Sequence, residues 1–148
     1  MTRSAIATWK GGPGAGEGSV STSSGVISNA LYSFSSGTGN EPCTSPSEML
    51  AAAVASCMSL IATQEIAKAG LRHEYVRTES ILTLEEEKHR WHISGIQLNI
   101  TADVRPADAE KFEHACNRAK AKCPISHALN VPIKMVTLVQ SKKQAAAA

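Results

Sequence analysis

The chain has 148 residues, a formal net charge of +2 and only 4% aromatic residues. That length suffices for one hydrophobic core, while the scattered lysines and arginines and the scarcity of aromatic rings argue against a nucleic-acid-binding surface. Met1 to Trp9 contains no apolar leader, and four cysteines (Cys43, Cys57, Cys116 and Cys123) in a chain that needs no staples suit a reducing compartment, so a cytoplasmic protein is expected.

Ile6 to Trp9 is a short strand candidate, followed by a glycine-rich turn from Lys10 to Gly18. That turn lacks a Gly-Lys-Ser/Thr ending and leads into no helix, which removes the argument for phosphate cradling. Ser19 to Thr22 and Val26 to Phe34 continue as strands of an antiparallel meander. Residues 35–44 form a polar loop. Ser45 to Ala69 then carries strong helix-start signals: Ser45 as cap, Pro46 at the first helical position, and Glu48 placed to reach back to the cap. Gly70 is its stop.

From Met49 to Ala62 nearly every position is apolar or small, so this helix needs protein on every side. The run falls short of the about 20 apolar residues that a bilayer requires, and no membrane partner is expected. One chain with a few strands can hardly cover such a helix, which points to an intertwined homodimer. Cys57 lies mid-helix on the face of Leu50, Val54 and Ile61.

Tyr75 to Leu84 and Trp91 to Val104 read as a strand pair around a charged tip, Glu85 to Arg90. A slip at Gly95 marks a bulge. A second helix begins at Pro106 and aligns Ala109, Phe112, Cys116, Ala119 and Cys123 on one face before Pro124 interrupts it. Ile133 to Val139 is the last strand. The order predicts a single α+β domain over residues 1–148, with antiparallel sheets around a central helix and residues 141–148 as a frayed tail.

Cys123, immediately before Pro124, falls at the N-cap of the following turn, where free N–H groups lower a thiol pKa. A buried cysteine paired with an activated one suits peroxide reduction. One sulfur attacks the O–O bond and becomes a sulfenic acid, the other condenses with it to a disulfide, and an external dithiol restores both.

The run Cys43-Thr44-Ser45-Pro46-Ser47-Glu48-Met49-Leu50-Ala51-Ala52-Ala53 leading to Cys57, followed by Ala121-Lys122-Cys123-Pro124-Ile125-Ser126, resembles the OsmC/Ohr family of thiol-dependent hydroperoxide reductases. Ala7-Thr8-Trp9-Lys10-Gly11, Gly18 to Val26 and Tyr32-Ser33-Phe34 are similar to its osmotically inducible branch. The resemblance implies an OsmC-like fold, an intertwined homodimer and a peroxiredoxin-like, metal-free, two-cysteine enzyme acting on organic hydroperoxides. It assigns Cys57 as the peroxidatic and Cys123 as the resolving cysteine, with no bound cofactor and a lipoyl-type dithiol protein as reductant.

The family also supplies a glutamate and an arginine around the thiolate. The glutamate position falls on Ser47, and the arginine positions of the two branches fall on Gly37 and near Pro13. Glu48, His127, Lys10, Arg77 or an arginine from the partner chain are the conceivable substitutes, His127 as a base or cation one turn beyond Cys123. Cys43 and Cys116 read as packing thiols, and a zinc site of Cys116, Cys123 and His127 lacks a fourth ligand. The competing expectation is a dimeric small-ligand-binding protein of the same fold with weak or lost peroxidase activity.

Overall fold

The computed structural model describes residues 1–12, 16–33 and 42–140. The positions of Pro13, Phe34 and Gly37 and the tail from residue 141 lie outside them. Two compact units divide the chain, Met1–Leu50 and Ala51–Ala148.

In the first unit, β1 (Ala5–Lys10), β2 (Glu17–Thr22) and β3 (Ala30–Tyr32) form an antiparallel sheet in sequence order. The third strand is much shorter than the 26–34 run expected. Thr22 N–H bonds the Ile27 carbonyl, Gly25 takes a φ of 74° and Asn29 a φ of 51°, so the residues ahead of Ala30 are spent on a turn. Tyr32 lies against Gly18, its cross-strand partner, and a Cβ at Gly18 would come within 2.7 Å of the ring. Glycine is needed there for space rather than for backbone freedom.

Helix α1 (Pro46–Lys68) starts where the sequence marks it. The Glu48 carboxylate accepts from the Ser45 N–H at 3.0 Å, and Ser45 Oγ accepts from the Glu48 N–H at 3.2 Å, a complete capping box. At the other end Gly70, with φ 69°, donates to the Ala67 carbonyl, and Leu71 donates to Ile66. This is a Schellman stop, with both Leu71 and Ile66 buried.

The second unit is built on β4 (Val76–Glu87), β5 (Arg90–Ala102) and β6 (Ile133–Val139). The charged tip extends the ladder instead of breaking it: pairing runs to Glu87 and Arg90, and Lys88 and His89, both at positive φ, make a two-residue turn. The slip expected at Gly95 is present as a register shift between Thr83 and Leu84. The expectation of antiparallel sheets needs one correction, because β6 pairs parallel to β5. The intervening chain carries the short 3₁₀ turn at Pro106–Asp108, α2 (Ala109–Lys122) and α3 (Pro124–Ala128), enough for the crossover that a parallel pair demands.

The core of this unit takes Ile96, Leu98, Ile100 and Ala102 from one face of β5. It takes Phe112, Ala115, Cys116 and Ala119 from α2, and Val54, Met58, Ala62 and Ile66 from α1. Burying each large side chain contributes roughly 1.5–3 kcal/mol. On α1 this stripe and Glu65 are the buried residues, and Leu60 is 65% exposed. The length argument against a bilayer also needs correcting. The complete helix has 23 residues and a window of mean hydropathy 1.5, which length and composition alone would allow in a membrane. Its buried stripe and its buried, ion-paired Glu65 are those of a core helix.

Candidate thiol site

Cys57 is set by α1, on the turn between Val54 and Met58, and is partly accessible. Cys123 ends α2 and caps α3: its ψ of 110° breaks the helix, and Pro124 takes the first position of the next. The residue before a proline is driven out of the helical region, so the Cys-Pro pair itself creates the bend. The bend turns the fully buried Cys123 toward α1, where its Sγ lies 3.3 Å from Cys57 Sγ and donates to it. None of the four cysteines is in a disulfide. A bond length is about 2.05 Å, so closing one here takes a movement of little more than an ångström.

The two thiols lie in opposed electrostatic settings. Burial pushes Cys57 up and the Cys123 thiol pushes it further, with the Ile125 N–H the one opposing influence. Burial also pushes Cys123 up, but the Ser126 hydroxyl and N–H, the Cys57 thiol and the Ile125 N–H together outweigh it, so its net direction is down. Ser126 Oγ is buried and makes no hydrogen bond, and no side-chain capping bond closes from Cys123 in the neutral state. These donors acquire an acceptor when Cys123 ionises.

The other candidates are placed elsewhere. Glu48 is held by the cap, accepting also from the Thr44 hydroxyl at 3.1 Å. Ser47 Oγ shares a 3.0 Å hydrogen bond with Ser45 Oγ. His127 is exposed, its Nε2 2.7 Å from the Ala121 carbonyl, which ties it to the end of α2 and not to a sulfur. Arg77 is exposed on β4, and Lys10 is exposed at the end of β1. Cys43 Sγ lies 3.3 Å from Ser33 Oγ. Cys116 is fully buried and its thiol is pushed up to about 12, by burial first and the Glu113 charge second, which makes it inert at neutral pH. Among the described residues no group of three His, Cys, Asp or Glu side chains could hold a metal ion, so Cys116, Cys123 and His127 do not form such a set. A cavity of about 820 Å³ lined by residues such as Arg72, His73 and Arg105 includes neither sulfur.

Two residues escape the sequence reading. Ser126 was visible only as the end of the Cys-Pro-Ile-Ser motif, and its signal is its place three residues after Cys123, one turn along. Glu65 hides in a helix that looks apolar. Only 2% exposed, it meets Lys68 at 3.0 Å, Lys122 at 2.8 Å and Arg118 at 3.3 Å. The Lys122 and Lys68 hydrogen bonds lead the causes that hold its carboxyl down at about 2. Lys68 at i+3 was readable in advance; the two cations from α2 were not.

Comparison with known proteins agrees with this architecture. The sequence profile described as OsmC-like protein matches residues 37–137. The chain is 32% identical over 129 residues to Peroxiredoxin OsmC of Escherichia coli, covering 87% of this chain and 90% of the relative. An OsmC-like protein of unknown function from Vibrio cholerae superposes with a TM-score of 0.76 at 19% identity, over 93% of this chain and 99% of the other. The organic hydroperoxide resistance protein OhrB of Bacillus subtilis does so with a TM-score of 0.69 at 22% identity, over 91% and 98%. The α+β fold, the matched span and the relative that shares a third of its residues make the chain a member of the OsmC-like protein family.

Proposed function

We propose that this protein is a thiol-dependent peroxidase that reduces organic hydroperoxides to alcohols through Cys57 and Cys123. The observation that carries the reading is the 3.3 Å contact between two sulfurs 66 residues apart in the chain. The relative named as a peroxiredoxin, 32% identical over most of the chain, supports the reaction class, and the neighbour named for organic hydroperoxide resistance supports the substrate class.

Cys57, the more accessible sulfur, attacks the distal oxygen of ROOH. The O–O bond breaks, the sulfur is oxidised to a sulfenic acid, and the alkoxide takes a proton to leave as ROH. Cys123 then attacks the Cys57 sulfur, hydroxide departs and is protonated to water, and the disulfide forms. A dithiol of lipoyl type on another protein reduces it, becoming a disulfide in turn. The reaction needs no bound cofactor or metal. Two chains assemble as a homodimer: Leu60 on α1 and Ile81, Val136 and Leu138 on the outer side of the second unit's sheet are exposed apolar residues that a second copy would cover. The reducing conditions such a cycle requires are those of the cytoplasm.

The test is titration of the purified protein with cumene hydroperoxide, counting free thiols and mapping bonds by mass spectrometry. Loss of two thiols per chain with a Cys57–Cys123 disulfide is expected. Retention of both thiols would refute the peroxidase and favour the binding protein of the same fold.

A further inference from the structure

The geometry points to a second duty for Cys123, resting on the peroxidase reading: before it resolves the sulfenic acid it is the base that takes the Cys57 proton, and Ser126 is the positioning residue that makes it one.

Among the described residues the accessible sulfur has no charged helper. Among the described residues, the groups that act on the Cys57 thiol are Cys123 and the Ile125 N–H; no carboxylate, imidazole or cation is among them. His127 is turned to Ala121 and Glu48 to the helix cap. A base for Cys57 must lie within hydrogen-bond reach of its sulfur. The Cys123 sulfur, at 3.3 Å, meets that requirement.

The surroundings of Cys123 suit an anion. Ser126 Oγ is a buried hydroxyl with no acceptor, and a buried donor left unsatisfied is costly. A thiolate at Cys123 satisfies it, and the Ile125 and Ser126 N–H groups act on the same sulfur. The Cys57 thiol then becomes the donor across the contact, so the pair holds one proton between two sulfurs and titrates as a unit. Burial pushes both thiols up, but the Ser126 hydroxyl and N–H act on Cys123 and not on Cys57, so the first proton to leave the pair is the one Cys123 carries.

The proton accounting closes over a turnover. Cys57–SH passes its proton to the Cys123 thiolate as its sulfur attacks ROOH. The Cys123 thiol gives that proton to the departing alkoxide, producing ROH and restoring the Cys123 thiolate. That thiolate is the form needed to attack the Cys57 sulfenic acid, releasing hydroxide that is neutralised to water by the proton Cys123 gave to solvent when it ionised. No electron enters beyond those the two sulfurs supply to the peroxide.

The two duties separate in a single-turnover experiment. Reduced wild-type protein, Cys123→Ser and Ser126→Ala are mixed with cumene hydroperoxide across pH 6–10, and Cys57 sulfenic acid is trapped with a dimedone reagent or followed through disulfide formation. If Cys123 is the base, Cys123→Ser slows Cys57 oxidation at pH 7 by about a hundredfold, the low side of general-base effects. Ser126→Ala shifts the pH midpoint of that step upward, while disulfide formation still goes to completion. A Cys123 that only resolves predicts Cys57 oxidation in Cys123→Ser as fast as in wild type, or faster, because the thiol that pushes Cys57 up is gone; that result overturns the proposal. Circular dichroism of each variant separates a fold defect from a chemical one, with the Ser126→Ala pH shift as the deciding measurement if Cys123→Ser is misfolded. A wild-type protein that yields neither sulfenic acid nor disulfide removes the peroxidase reading itself, and this inference with it.

Discussion

Helices α1 and α2 meet at two polar places that could hardly be more different. Two turns apart on α1, Cys57 faces a sulfur with no charged neighbour among the described residues, whereas Glu65 faces three cations, two of them from α2. The carboxylate is buried with all its charge answered, a condition that fixes its ionisation and its position. The sulfur pair is only part-buried, with a buried donor, Ser126 Oγ, still unanswered. A saturated cluster resists change and holds the helix end that carries Cys123, while an unsaturated one has a reason to ionise. Chemistry belongs at the second place and mechanical restraint at the first.

The largest effect should come from removing the attacking sulfur. Cys57→Ser is expected to lower steady-state hydroperoxide reduction by at least about 10³-fold, with a thermal midpoint within about 2 °C of wild type, because the substitution is small and the site only partly buried. Glu65→Ala should do the reverse. Three cations lose their shared acceptor, and the thermal midpoint should fall by roughly 5–10 °C, while Cys57 sulfenic acid formation stays within about threefold. Calorimetry and single-turnover oxidation on the same two preparations check both. Equal effects of the two variants on stability and rate would collapse the distinction between the sites.

Acid stability sharpens the same contrast. The Glu65 carboxyl is held down from 4.5 to about 2 by Lys122, Lys68 and Arg118 hydrogen bonds, so it binds fewer protons folded than unfolded. Its stabilisation is fully present above about pH 4.5 and is lost as pH falls through about 2. Unfolding by urea at a series of pH values between 5 and 2 should show a falling midpoint in wild type and a flatter one in Glu65→Gln. Burial holds the Cys57 thiol above its ordinary value, so Cys57→Ser should follow the wild-type curve.

How far the sequence foretold these sites depends on whether the determining interaction is local. The cap at Ser45 and Glu48, the stop at Gly70, the slip at Gly95 and the strand 133–139 are each set by neighbours in the chain, and each is found where the residues put it. Both sulfurs could be picked out by motif, but the distance between them depends on the bend at Pro124 and on packing between elements 66 residues apart. The parallel pairing of β6 follows from the crossover path, which strand alternation cannot reveal. Glu65 was overlooked because a helix judged by its apolar content offers no sign that two cations of another helix will converge on one carboxylate. His127 illustrates the opposite error: the helical spacing from Cys123 is right, but the ring finds the Ala121 carbonyl first.

Glu48 gives the smallest and most discriminating comparison. Its carboxylate was a conceivable substitute for the family's glutamate, which falls at Ser47, yet it accepts from the Ser45 N–H and the Thr44 hydroxyl at the start of α1. A carboxylate committed to two local donors has its orientation fixed by the cap and is not available to polarise a thiol more than two turns further along the helix. Glu48→Ala should therefore cost about 1 kcal/mol of stability, the usual range for a lost cap. Glu48→Gln keeps an acceptor for the cap and should recover most of it. Neither should change the rate of Cys57 oxidation by more than about twofold. A Glu48→Gln variant with full stability and a tenfold slower first turnover would instead place that carboxylate in the chemistry, and the boundary drawn between restraining and reacting groups on α1 would have to move.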